Sequence, residues 1–91
     1  MGFIEEENTM KRKHFEASVC RESDRHNWRW FISYQQGGEW YSCLFDATPQ
    51  GLEDCVKMTD TRELMYSSKH NTREVIDAYF HACDLNAKLA A

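Results

Sequence analysis

Apolar and polar residues alternate from position 14, with Phe15, Ala17 and Val19 on one side and His14, Glu16 and Ser18 on the other. A period of two predicts a half-buried strand at about 14–21. The polar cluster Ser23-Asp24-Arg25-His26-Asn27 then marks a turn. Beyond it two strongly apolar arms, Trp28-Arg29-Trp30-Phe31-Ile32-Ser33-Tyr34 and Trp40-Tyr41-Ser42-Cys43-Leu44-Phe45, flank Gln36-Gly37-Gly38-Glu39. This predicts a β-hairpin with strands at about 27–35 and 39–45, because glycines supply the positive φ that a two-residue primed turn needs.

The period changes after Phe45. Thr48-Pro49 pairs an N-cap residue with proline at the first helical position, and Leu52, Cys55 and Val56 share one helical face. A helix is predicted at about 49–58, or on to 66. Asp60 and Glu63 have capping-box spacing that would restart it, and a short strand through Leu64-Met65-Tyr66 is the competing reading. Asn71-Thr72-Arg73-Glu74 reads as a second capping box. It opens a helix at about 72–88 whose apolar side carries Val75, Ile76, Tyr79, Phe80 and Cys83.

Strand, strand, strand, helix, helix with short connections makes an α+β domain, a three-stranded antiparallel meander with both helices packed on one face. Residues 1–12 carry Phe3-Ile4, then Glu5-Glu6-Glu7, then the start of a basic cluster, Lys11-Arg12-Lys13. They read as a flexible arm ahead of a single domain at 13–91.

Counting outward from the two glycines assigns each hairpin side chain to a face. Trp28, Trp30, Ile32, Tyr34, Tyr41, Cys43 and Phe45 share one almost wholly apolar face, the one the helices must cover. The opposite face carries Arg29, Phe31, Ser33, Gln35, Trp40, Ser42 and Leu44. It keeps more apolar surface than a solvated sheet needs. A three-residue turn would reverse the second arm, burying Trp40 and Leu44 and exposing Tyr41 and Phe45.

Composition narrows the chemistry. Ninety-one residues, 42% hydrophobic, fit one globular domain. A net charge of −4 opposes general binding to a phosphate backbone and repels anionic membrane. No apolar run is long enough to span a bilayer, no secretory leader is evident, and Glu6 stands where a myristoylation signal wants Ser or Thr. A cytoplasmic protein is expected. Cys20, Cys43, Cys55 and Cys83 include no CxxC pair, so they are expected to be reduced thiols packed as small apolar groups.

No enzyme signature appears. His81 and Cys83 are two apart on a helix and point to different sides, so they do not form half of a zinc site. Glu53 and Asp54 are helical neighbours that do not face each other. Gly37-Gly38 joins two strands and does not open a helix as a phosphate loop would. The sheet has the Trp, Phe and Arg of a base-stacking platform but lacks the glycine-aromatic signature of the RNA-recognition sheet.

These exclusions leave a non-enzymatic protein-binding module without metal or cofactor. Its expected contacts are Arg29, Phe31, Gln35, Trp40 and Leu44, since Trp and Arg dominate binding hot spots. In size, acidity and lack of enzyme motifs the chain resembles in kind the small accessory proteins of phages and mobile elements, including inhibitors of host defence. The expected partner is a larger host protein. The alternatives are a homodimer closed through the same face and a sheet that binds single-stranded nucleic acid.

Overall fold

The computed structural model describes residues 15–64 and 69–91. The arm read at 1–12, and Met65 and Tyr66 of the alternative strand, lie outside them. Strands β1 (Phe15–Cys20), β2 (Arg29–Gln36) and β3 (Glu39–Asp46) form one antiparallel sheet in the order β1-β2-β3. Helices α1 (Pro49–Thr61) and α2 (Lys69–Ala90) follow. α1 packs against β3, and α2 lies across β1 and β2. This is the α+β meander that the alternation predicts.

The hairpin turns at Gly37 and Gly38, whose φ values of 63° and 83° are those of a primed two-residue turn. The register follows, from Gln36 opposite Glu39 through Trp30 opposite Phe45 to Arg29 opposite Asp46. β1 pairs on the far side, with Phe15 opposite Tyr34 and Val19 opposite Trp30. The parity argument therefore holds for every paired residue of the two arms.

The inner sheet face supplies Phe15, Trp30, Ile32 and Tyr34 to the core, α1 supplies Cys55, and α2 supplies Val75, Ala78, Tyr79 and Ala82. Burying each large side chain contributes about 1.5–3 kcal/mol. The Trp30 ring meets Phe45 at 5.1 Å and the edge of Tyr79 at 6.1 Å. Its indole N–H donates to the Asp46 carbonyl at 3.1 Å, which satisfies a donor that burial would otherwise strand.

α1 begins as its sequence predicts. Thr48 is extended, and its Oγ1 accepts the Gly51 N–H at 3.0 Å, with Pro49 in the first turn. The buried Thr59 hydroxyl donates back to Cys55 O and Val56 O at 2.9 and 3.0 Å. The end of α1 corrects two expectations. Asp60 and Glu63 do not restart a helix, and the helix does not run on to 66. It closes after Thr61, with Glu63 N–H on Asp60 O and Leu64 N–H on Thr59 O. That is a Schellman ending, with Glu63 at the left-handed position (φ 59°) where glycine is usual.

α2 also departs from expectation at its start. It begins at Lys69, so Asn71 lies in the first turn and is not the N-cap. Asn71 is buried, and its Nδ2 donates to Leu64 O at 3.1 Å, tying α2 to the end of α1. Near the other end, Asn86 Oδ1 accepts the Trp28 N–H at 2.6 Å while Asn86 Nδ2 donates to Trp28 O at 3.0 Å. One side-chain amide thus replaces a strand neighbour at the entrance to β2.

The apolar side of α2 is wider than its contact with the sheet. Ile76 and Phe80, expected in the core, are 38% and 56% exposed. Small Ala78 and Ala82 occupy the seam, and helical geometry puts Ile76 and Phe80 on the flank shared with Cys83. The Cys83 thiol reaches Ala47 O at 3.7 Å, so that flank faces the start of α1.

Candidate docking face

The face of the sheet away from the helices is built in cross-strand rungs. Nearest the turn, Gln35 stands opposite Trp40, and its Nε2 donates to Gly38 O at 3.4 Å. Next, Ser33 and Ser42 face each other with their hydroxyls 3.0 Å apart, and Glu16 stands beside Ser33 on β1. Phe31 follows opposite Leu44, with Ser18 beside it. Arg29 closes the series opposite Asp46, with Cys20 on its other side.

Arg29, Phe31, Gln35, Trp40 and Leu44 therefore do share one face. Trp40 is 54% and Leu44 44% exposed, while Phe31, on the central strand, is half-buried. The serine rung divides the surface into a tryptophan at the turn and a Phe31–Leu44 pair further along. Residues four apart on a strand are separated by about 13 Å, so one partner surface spans both. Arg29 is not a free cation, because its Nη2 is bonded to Glu22 Oε1. Around this face Glu16 and Asp46 are exposed while Glu22 is paired with Arg29, so its rim carries a net negative charge.

Tyr41 belongs to the inner face, as parity requires, yet is 42% exposed. It sits on the edge strand close to the turn, where its ring stacks on Tyr34 at 5.6 Å and the helices leave its outer side open. Tyr34 is held between that ring and Arg62, whose guanidinium lies 5.8 Å from its centroid and whose Nη1 donates to Gln36 at 3.4 Å.

The titratable groups of the core are shifted toward their neutral forms. Burial pushes the Cys55 thiol up to about 12, with nearby Cys43 adding to the effect. Burial also raises the Tyr34 and Tyr79 phenols, with neighbouring Cys43 and Cys83 respectively adding to the effect. Cys55 is thus held as the inert thiol and is no nucleophile at neutral pH. Among the described residues no cluster of three or more His, Cys, Asp or Glu has the arrangement of a metal site, and no helix is long and apolar enough to cross a membrane.

The pair most like catalytic machinery is one that the sequence reading did not single out. Ser23 Oγ lies 2.8 Å from His26 Nδ1. The same hydroxyl accepts the Arg25 N–H, and His26 N–H bonds to Ser23 O at 3.1 Å, so the pair closes a four-residue turn. Arg21 fastens that turn through Nε to His26 O at 2.7 Å and Nη2 to Asp24 O at 2.6 Å. These groups shape the loop into β2. No protein family, curated protein or solved structure matches this chain.

Proposed function

We propose that the chain is a non-enzymatic protein-binding module, an inhibitor or adaptor in kind, that docks on a larger protein through the outer face of its sheet. The observation that carries this reading is the exposure of Trp40 and Leu44 beside Phe31, on a face that neither α1 nor α2 covers. Aromatic anchors accompanied by polar groups are common in binding hot spots, and here Gln35 and Glu16 flank the anchors while Ser33 and Ser42 lie between them. The acidic rim favours a partner with a basic surface and opposes nucleic acid.

The test is affinity capture from the native host with the wild-type chain and with a Trp40→Ala/Phe31→Ala double variant. A partner retained by the first and lost by the folded second is expected. Identical capture by both would end the proposal. A gain of salt-sensitive binding to oligonucleotide would replace it with the base-stacking alternative.

A further inference from the structure

The outer face does not account for the open side of β3. Among the described residues, every exposed large apolar side chain of the sheet lies on this strand: Trp40 and Leu44 on the outer face, Tyr41 on the inner. A partner seated on the outer face reaches the first two and leaves Tyr41 bare. A strand added alongside β3 flanks all three.

The backbone points the same way. In a two-residue primed hairpin the closing pair, Gln36 and Glu39, exchanges both hydrogen bonds, and bonded and open pairs alternate from there. Tyr41, Cys43 and Phe45 thus bond to β2, whereas the N–H and C=O groups of Trp40, Ser42 and Leu44 point away from it. No described strand pairs with that edge. Along the opposite edge, Glu74, Asp77 and His81 of α2 line a cleft with Ala17, Ser18 and Val19 of β1. α1 packs against β3, but the strand itself lacks the usual devices that protect an edge. It carries no proline, no bulge and no charge between Glu39 and Asp46.

We propose that this edge is a self-pairing site, at which β3 of a second copy adds antiparallel about a two-fold axis through Ser42. Both strands offer outward backbone groups at the same positions, so Ser42 meets Ser42 of the second copy and Trp40 meets its Leu44, each as a hydrogen-bonded pair. On the other face Tyr41 meets Cys43 of the second copy. This register also avoids a charge clash. It sets Asp46 against Gly38 and Glu39 against Phe45, so no two carboxylates stand opposite. The adjacent register would place Glu39 against Asp46 and mismatch the outward groups. The product is one continuous sheet through both copies, and it does not depend on the docking reading.

Light scattering across a wide concentration range, with residue-resolved amide exchange on the wild-type chain, tests it. The expected result is a two-chain mass with the Trp40, Ser42 and Leu44 amides as protected as those of Tyr41 and Cys43. Ser42→Pro removes an outward N–H and no bond to β2, and is expected to be folded by circular dichroism and monomeric. Phe31→Ala, which alters only the outer face, is expected to stay dimeric. A chain monomeric at every concentration would overturn the proposal. So would a dimer whose Trp40, Ser42 and Leu44 amides exchange freely, or one that Phe31→Ala dissociates and Ser42→Pro does not.

Discussion

A methyl group on the Cα of Gly51 would sit 2.0 Å from the carbonyl oxygen of Asp46, the same oxygen that accepts the Trp30 indole N–H. The first turn of α1 therefore rests directly on the end of β3, and the contact exists only because position 51 has no side chain. Gly51→Ala must push the helix off the strand or break the Trp30 bond. It is expected to destabilise the fold by about 1–3 kcal/mol despite alanine's better helix propensity. Urea unfolding followed by tryptophan fluorescence would measure the loss.

Asn86 offers a second single-residue test. Replacing it with Ala leaves the Trp28 N–H and C=O without their partners at a part-buried site. A loss of about 1–3 kcal/mol is expected, with faster amide exchange at Trp28 and no change in the β2–β3 ladder.

Glu63 holds a left-handed φ of 59° at the end of α1. Glycine adopts that conformation without the steric penalty, so Glu63→Gly is expected to stabilise the chain by about 0.5–1 kcal/mol. A lower midpoint in urea would show that the carboxylate contributes something its geometry does not reveal.

Cys55 makes stability fall in alkali. Its thiol ionises near 9.0 when unfolded and at about 12 when folded. Between those values the native state binds more protons than the unfolded one, so the contribution is complete below pH 9 and is lost progressively toward pH 12. The raised phenols of Tyr34 and Tyr79 act with the same sign at higher pH. Cys55→Ala is expected to flatten the alkaline limb of a stability-against-pH curve, whatever the small cavity does to its height.

The hairpin was fully legible because two adjacent glycines fix both the turn and the parity of every residue beyond it. Thr48-Pro49 was legible for a similar reason, since both residues act locally. What was missed depends on contacts distant in sequence. Asn71 has the spacing of an N-cap, but its buried amide reaches back to Leu64 O, a partner no spacing rule identifies. Glu63 carries no mark of the left-handed position it fills. Ile76 and Phe80 extend the apolar stripe of α2, yet Ala78 and Ala82 occupy the seam, and only the sheet's shape decides which residues take it. The outer-face residues were placed correctly because a strand's two faces follow from counting alone.

The tryptophans are distributed so that the chain carries its own optical labels. Trp30 lies sealed in the core, Trp28 sits part-buried under Asn86, and Trp40 stands in solvent on β3. Variants that keep one indole and convert the other two to phenylalanine would separate three signals. Emission from Trp30 follows global unfolding, and that from Trp28 follows the release of α2. A blue shift of Trp40 on mixing or concentrating the protein would register the arrival of whatever covers it.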